Sequence, residues 1–312
     1  MTIDGLKKIY RRIYGLGGTW GDFRDDYPRP VRTDAPERLL DAGCGQGHLK
    51  DDFKRFGKAI EYFGVDLTVG DSNWTFKLDA VADLQALPFR KNSFDKIISI
   101  EVLEHVELPE LVFEELARVL SPGGSLFLAL PFVWHLHQEP HDHHRFSKFA
   151  IHAMAARHGL EVSQLNPMGG YFSVLRYLFS NYSFIAEKGD STSLALARIV
   201  NLPFKWLDLF LVAPLCYLFD FLDTEKKLTL GYHVQLNKKG ELPKKALSSP
   251  FVCPRCRSLD EARLQMNATE WICLSCNSSY PVFDGVPRLL IENQKSSRKL
   301  TSKVQANTLV PS

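Results

Sequence analysis

Short apolar segments alternate with helical segments from Pro36 to about Lys239, and no other feature constrains the fold of this chain as strongly. The runs RLLDAG, YFGVDL, FDKIISI and SLFLALP have the length and apolar character of buried strands. Between the last two, ELPELVFEELARVLSPGG carries apolar residues at helical spacing. Such alternation predicts an α/β fold in which helices cover both faces of a doubly wound, parallel sheet.

Composition and patterning divide the 312 residues into five predicted regions. A helical arm with a basic face comes first and either packs over the main domain or covers a ligand or a membrane surface. The last region is rich in Ser, Lys, Gln and Asn and is expected to be disordered. The predicted regions are the arm at 1–35, the main domain at 36–240, a linker at 241–250, a small domain at 251–292 and the tail at 293–312.

The charge balance and the N-terminal sequence bear on the partners of the protein and on its cellular compartment. With 38 basic and 36 acidic residues, the net charge of +2 gives no overall attraction to nucleic acid. The N-terminus lacks the apolar core of a signal peptide, so we expect a cytoplasmic protein. In that reducing compartment the six cysteines favour metal binding over disulfides.

An apolar insertion at about 195–223 is the least typical part of the main domain. Its uncharged run, Leu209–Phe219, covers only 11 residues and includes Pro214. A membrane-spanning helix needs about 18–20 apolar residues. Two interpretations stay open for 201–223: a buried helical insertion, or an interfacial helix that holds the protein at the inner face of a membrane.

A glycine-rich loop is predicted to bind a ligand. LLDAGCGQG places Asp41 at a strand end, followed by Gly43, Gly45 and Gly47. Glycines there let the backbone turn sharply and approach a ligand. Asp66 ends the next strand, where a carboxylate binds the hydroxyls of a ribose.

Four motifs together resemble a known family. LLDAGCGQG, FGVDL, ADLQALPFRKNSFDKIISIEVLEHV and ELARVLSPGGSLFLALP are similar, in order and spacing, to class I S-adenosylmethionine-dependent methyltransferases of the type 11 pattern, over about residues 36–165. The resemblance implies a Rossmann-like sheet. Carboxylates suit this cofactor because its sulfonium and ammonium are cationic. The implied cofactor-binding residues are Asp41, Gly43, Gly45 and Gly47 at the methionine part, Asp66 at the ribose, Asp83 and Leu84 at the adenine, and Ile100 and Glu101 at the floor. The alternatives for single residues are that Asp83 caps a helix and that Asp41 is an ordinary strand-end residue, but the four motifs together favour cofactor binding.

The segment after the fourth predicted strand bears on the methyl acceptor. SIEVLEHV lacks the Asn/Asp-Pro-Pro-aromatic tetrad typical of enzymes that methylate amines of nucleobases or of glutamine side chains. A hydroxyl acceptor needs a base. His105, on the expected first turn of a helix, is either that base or a structural residue.

A histidine-rich loop, HLHQEPHDHHRFS, follows the fifth predicted strand and so lies at the ligand-binding edge of the sheet. It matches a pattern in one branch of the family, His-x-x-Pro-x-Asp-x-x-Arg-aromatic-Ser/Thr, at His137, Asp142 and Arg145 among others. The resemblance implies that the loop caps the acceptor site. Three roles stay open: acceptor binding or acid/base chemistry, a structural loop shaped by an Asp142–Arg145 ion pair, and a metal site.

Two Cys-x-x-Cys pairs define the small domain. CPRC and CLSC, separated by 16 residues, present four thiolates in the pattern of a tetrahedral Zn²⁺ site, with disulfides as the alternative. Four protein ligands leave no open position, so the metal would be structural. The predicted zinc ligands are Cys253, Cys256, Cys273 and Cys276.

The ribbon also bears on function. CPRC, CLSC and SSYPVFDGVPRLL are similar to the small zinc-ribbon proteins that activate methyltransferases of tRNA, ribosomal RNA and release factors. The resemblance implies that the ribbon docks on its own catalytic domain.

We expect O-methylation of a small or lipid-linked molecule, such as a sugar of a surface polysaccharide or a lipid precursor. The alternatives are a tRNA or other translation component as acceptor, and a non-catalytic binding module.

Overall fold

The computed structural model describes residues 36–67, 78–185, 206–242, 249–257 and 263–291. The predicted N-terminal arm and C-terminal tail lie outside these ranges, as do most of the predicted linker and the first part of the apolar insertion.

The described residues belong to two compact units. The larger unit carries the glycine-rich loop and the four-cysteine ribbon, and the smaller unit carries the histidine-rich loop and the apolar insertion. The larger unit lies within residues 30–128, 149–163 and 235–312, and the smaller within 129–148 and 164–234.

A central sheet dominates the larger unit. β1 pairs in parallel with β2 and with β4, and β2 pairs in parallel with β3. The predicted α/β, Rossmann-like arrangement is therefore confirmed. Along the sheet the strands lie in the order β6-β7-β5-β4-β1-β2-β3-β11-β10-β9-β8. The strands are β1 Glu37–Ala42, β2 Ile60–Asp66, β3 Ala80–Ala82, β4 Phe94–Ile100, β5 Leu120–Pro131, β6 Leu160–Pro167, β7 Gly231–Lys238, β8 Leu264–Met266, β9 Glu270–Cys273, β10 Ser279–Phe283 and β11 Val286–Leu289.

The strand order reverses between β1 and β4, and parallel sheets bind ligands at such a switch point.

The main helices are α1 His48–Phe53, α2 Pro109–Val119, α3 Lys148–Arg157, α4 Tyr171–Ile185 and α5 Ala213–Phe219. α2 buries Val112, Phe113 and Leu116, so its predicted apolar face does pack. The strand after α2 begins at Leu120, so the Ser-Pro-Gly-Gly segment that follows the helix lies inside β5.

The cysteine-bearing ribbon continues the sheet of the larger unit. β11 pairs in parallel with β3 through Arg288 opposite Val81 and Leu289 opposite Ala82. The backbone N–H of Val252 donates to the carbonyl of Pro88 at 2.8 Å. Parallel pairing with a twisted core strand removes the exposed edge that β3 would otherwise present.

Aromatic packing joins the ribbon to the core. The Phe251 ring lies 4.9 Å from that of Phe89 and 5.9 Å from that of Phe63, measured between centroids. Phe89 also packs edge-on against Phe94 at 4.8 Å, and both are fully buried. Beside this cluster the Glu115 carboxylate accepts from Arg118 and from Arg257 of the ribbon segment at 2.8–3.0 Å.

The apolar insertion in the smaller unit forms a π-helical turn, Asp208–Val212, followed by α5 and a 3₁₀ turn, Asp220–Leu222. The expectation of a buried insertion is wrong for its described part, because most of its large apolar side chains are exposed. The inward positions are taken instead by small or polar residues such as Ala213 and Asp220. Every helix among the described residues is too short or too polar to cross a bilayer.

Candidate cofactor site, histidine-rich loop and cysteine cluster

The glycine-rich loop turns back over the end of β2. The backbone N–H groups of Gly43 and Cys44 both donate to the Val65 carbonyl, at 2.9 and 3.1 Å. A Cβ at Gly43 would lie 2.4 Å from a methyl of Val102, so only glycine fits there. Gly45 has φ +54 and a Cβ would meet nothing within 4 Å, so its requirement is conformational.

Asp66 is tied to this loop. Its carboxylate Oδ2 accepts from the backbone N–H of Gly45 at 2.9 Å. The bond fixes one carboxylate oxygen at the carboxyl end of β2, beside the turn.

Asp41 is a buried carboxyl group next to the switch point. It is 3% exposed and accepts a hydrogen bond from the hydroxyl of Tyr62. Burial raises the pKa of Asp41 to about 7, an effect that the Tyr62 hydrogen bond opposes and the nearby Asp66 charge reinforces. A cation brought next to Asp41 would therefore relieve a destabilised negative charge.

Sequence reasoning missed three residues that shape this site, namely Tyr62, Lys50 and Asp79. Lys50 of α1 donates to both oxygens of Asp79 at 2.9 and 3.0 Å, and its ammonium lies 5.7 Å from the centroid of the Tyr62 ring. Asp79 also accepts from the backbone N–H of Gly64 at 2.8 Å. Since the partners are 29 residues apart, no local motif announces them.

The residues predicted to bind the adenine and to form the floor of the cofactor pocket lie at the ends of β3 and β4. Asp83 caps the 3₁₀ turn Leu84–Ala86, accepting from the backbone N–H of Gln85 at 2.8 Å. Asp83 therefore does cap a helical turn, as the alternative interpretation of this residue predicted. Ile100 is buried at the end of β4, and Glu101, which is exposed, follows it with φ +52.

His105 belongs to the larger unit. It ends a separate 3₁₀ turn, Leu103–His105, and not the first turn of α2 as expected. Its Nε2 lies 3.8 Å from a carboxylate oxygen of Glu104, which is fully buried. The ring is therefore held beside a buried carboxylate.

In the smaller unit an ion pair organises the histidine-rich loop. Arg145 donates to both oxygens of Asp142, at 2.6 and 2.8 Å, and to the His135 carbonyl at 2.9 Å. The Asp142 side chain is 2% exposed and also accepts from the backbone N–H of His137 at 2.9 Å. These bonds, led by Arg145, hold the pKa of Asp142 far below its usual value. Asp142 therefore stays a carboxylate and cannot donate a proton at neutral pH.

The same ion pair orients His137. Its Nδ1 lies 3.3 Å from Asp142 Oδ2 and 3.3 Å from the His135 carbonyl. Both neighbours are acceptors, so Nδ1 carries the proton and Nε2 is the basic nitrogen of the neutral ring. A histidine whose tautomer is fixed by a carboxylate has the form of a general base.

An aromatic stack supports this loop. The rings of Trp134 and Tyr177 are stacked at 4.6 Å, and the Tyr177 hydroxyl accepts from the backbone N–H of His135 at 2.8 Å. The His135 ring also contacts that hydroxyl through Nδ1. Burial, aided by His137 and Arg145, lowers the pKa of His135 and keeps it neutral.

The four cysteines of the ribbon converge. Their Sγ atoms all lie within 4.8 Å of one another, and those of Cys253 and Cys276 are 3.7 Å apart. Tetrahedral Zn–S bonds of about 2.3 Å give S···S separations of about 3.8 Å, which this geometry fits. Tyr280 lies with its hydroxyl 3.0 Å from Cys253 Sγ, and the backbone N–H of Ser275 donates to Cys273 Sγ at 3.4 Å. Such donors stabilise thiolates.

Residues 40–128 match the family described as a methyltransferase domain. A ubiquinone biosynthesis O-methyltransferase of Xanthomonas oryzae pv. oryzae is 33% identical over 121 residues, which cover 32% of this chain and 48% of that protein. The protein of the same description from Nitrosococcus oceani is 27% identical over 200 residues, 54% of this chain and 84% of the relative. The first alignment thus spans about half the length of the relative.

Among solved structures, a chain in the complex of the Haloferax volcanii Trm112 methyltransferase activator with a methyltransferase has a TM-score of 0.44 and 17% identity. The match covers 76% of this chain and 95% of that chain. The parallel sheet with its switch point and the glycine loop lie in or beside the residues, 40–128, that are similar to a methyltransferase domain.

Proposed function

We propose that the protein is an S-adenosylmethionine-dependent methyltransferase that acts on an oxygen of a small or lipid-linked acceptor. The observation that carries the proposal is the glycine loop, with Asp41 and Asp66 beside it at the switch point of the sheet. The relatives of similar sequence, named as O-methyltransferases, support oxygen as the methylated atom. A sugar of a surface polysaccharide and a lipid precursor are acceptors of the proposed class.

The residues present suit this cofactor. Gly43 lets the loop pack closely on Val102 with a positive φ, Asp66 offers a carboxylate to the ribose, and Asp41 offers one to the ammonium. Asp83, Leu84, Ile100 and Glu101 would complete the adenine end. When bound, the cofactor supplies an electrophilic methyl group, and the protein has only to position the acceptor and remove its proton.

His137 is the proposed base. Its Nδ1 proton is held by Asp142 and the His135 carbonyl, so the acceptor proton would move to Nε2. Arg145 and Asp142 position the loop and do not exchange protons themselves. His105, next to the buried Glu104, is the second candidate for this role.

We further propose that the ribbon binds one structural Zn²⁺ through Cys253, Cys256, Cys273 and Cys276. The convergence of the four Sγ atoms within 4.8 Å of one another supports this, and four ligands leave no position for a substrate. The metal would stabilise the ribbon segment that packs on the core of the larger unit through Phe251.

Calorimetric titration with S-adenosylmethionine tests the cofactor assignment. The intact protein should bind, and Asp66→Ala should weaken binding at least about tenfold because the ribose loses a charge-assisted partner. An intact protein that fails to bind would refute the enzyme proposal.

Methyl transfer from labelled cofactor to cell fractions tests the acceptor. Label should enter lipid-linked or small-molecule glycan and lipid fractions; label found only in RNA or protein would overturn that acceptor class in favour of a translation component. His137→Ala should cut transfer about 10²- to 10⁴-fold at unchanged cofactor affinity. His141→Ala, an exposed histidine of the same loop, is the matched control and should transfer normally.

A further inference from the structure

The helices of the smaller unit present an outward surface made entirely of apolar and aromatic side chains. Within 206–222, every residue described as exposed is Trp, Leu, Phe or Tyr. In the described part of α4, the exposed residues are Tyr171, Leu175 and Leu178. We call this set the apolar face; its members in 206–222 are Trp206, Leu207, Phe210, Leu211, Leu215, Tyr217, Leu218, Phe219, Phe221 and Leu222.

The charged residues of the same helices point the other way. Arg176 is buried and pairs with Asp208 at 3.4 Å. Asp220 accepts from the backbone N–H groups of Gly170 and Ser173 at 3.1 Å. Asp223 accepts from the N–H of Tyr171 at 2.7 Å. The usual distribution of polar and apolar residues on a helix in water is inverted here.

An apolar face of this size is costly in water, and monomeric soluble proteins rarely expose one unless it contacts a partner or a membrane. A protein partner normally meets a rim of charged and hydrogen-bonding residues. No exposed charged residue interrupts the described part of 206–222, and the exposed charged residues Glu225 and Lys227 lie beyond its end; the polar side-chain atoms of the apolar face belong to Trp206, Tyr171 and Tyr217. Trp and Tyr are the residues that concentrate at the boundary between lipid and water.

We propose that the apolar face inserts into one leaflet of a lipid bilayer, with the helices lying along the surface. The nearby charges are already paired, Lys227 with Glu225 and Lys226 with Asp220, so a zwitterionic membrane suffices and anionic lipid is not required. The short helices rule out a crossing for the described residues. Membrane contact goes beyond the proposed methyl transfer and needs neither cofactor nor acceptor, so each can fail without the other.

Flotation of the full-length protein with phosphatidylcholine vesicles tests the proposal. The wild type should float, and 1 M salt should leave its partitioning unchanged because no ion pair drives it. The double variant Phe210→Ser with Phe221→Ser should partition at least about tenfold less, since each removes a large apolar side chain from the lipid contact. Phe149→Ser is the matched control: its phenyl ring is 74% exposed, against 68% for Phe210 and 67% for Phe221, but lies on α3 outside the apolar face.

A second measurement locates the inserted residue. Brominated phosphatidylcholine should quench tryptophan fluorescence of the wild type, and Trp206→Phe should abolish most of that quenching although four other tryptophans remain. Failure of the wild type to float would overturn the proposal. So would equal loss in the Phe149→Ser control, or a wild type that forms a dimer in solution which the double variant breaks, because the apolar face would then bind a second copy.

Discussion

The core of the larger unit and the helices of the smaller unit place the same kinds of residue in opposite positions. In the larger unit, Phe89 and Phe94 are fully buried while the sheet edge carries the carboxylate of Asp66. In the smaller unit, Phe210 and Phe221 face outward while Arg176 is turned in. The amount of apolar side chain in a segment therefore does not determine where those side chains lie. They can be buried in the protein core, as in the larger unit, or form an exposed surface that a membrane or another partner could cover.

The largest effect is expected at the proposed zinc site of the larger unit. Cys253→Ser should lose zinc and the ordered ribbon, because structural zinc supplies about 10–16 kcal/mol of binding energy in small ribbons. Metal content by mass spectrometry and thermal unfolding measure this. Cys216→Ser, a buried cysteine of the smaller unit, should keep its zinc. A stable, zinc-free Cys253→Ser protein would contradict the metal assignment.

Phe89→Ala tests the buried side of the comparison. It removes a ring that touches both Phe94 of the sheet and Phe251 before the ribbon, so we expect a loss of about 3–5 kcal/mol in the free energy of unfolding. Urea unfolding measures the change. A loss below about 1 kcal/mol would mean that the ribbon segment does not share the core.

The pH dependence of cofactor affinity tests the polar edge of the larger unit. Below about pH 7 the buried Asp41 carboxyl of the free protein is protonated, whereas the cationic ligand needs it ionised. Binding must then release a proton, so affinity should fall as pH falls below 7, by up to about tenfold per unit. Calorimetry from pH 5 to pH 8 follows this.

Two variants sharpen that prediction. Asp41→Asn should bind weakly at every pH and lose the slope. Tyr62→Phe removes the hydrogen bond that opposes the raised pKa, so the onset of weakening should move above pH 7. A wild-type affinity that is flat between pH 5 and pH 8 would show that Asp41 does not contact the cation.

The smallest effect is expected on the apolar face. Phe210→Ala and Phe221→Ala should each change the free energy of unfolding by no more than about 0.5 kcal/mol, because both residues are about two-thirds exposed in the folded chain. Measured beside Phe89→Ala, they give the contrast directly. A cost of several kcal/mol in detergent-free buffer would show that these rings are buried in solution.

The site was predictable where its residues form a continuous motif. The glycine loop and Asp66 could be placed at strand ends because β1 and β2 are short apolar runs that stop at those residues. The cysteines could be grouped because a Cys-x-x-Cys pair brings two thiolates together locally. Tyr62 could not be assigned to Asp41, nor Lys50 to Asp79, since each pair joins different elements across more than 20 residues.

The parallel sheet, the glycine loop and the four-cysteine cluster could be predicted from the amino-acid sequence, because each follows from a local periodicity or spacing. The packing of Phe251 into the aromatic core and the extension of the sheet by the ribbon at β3 depend on long-range contacts that exist only in the folded chain. The direction of the apolar side chains in 206–222 depends on such contacts as well. An apolar run looks the same whether it faces protein or lipid, and that choice depends on which polar residues, such as Arg176 and Asp208, find partners on the inner side.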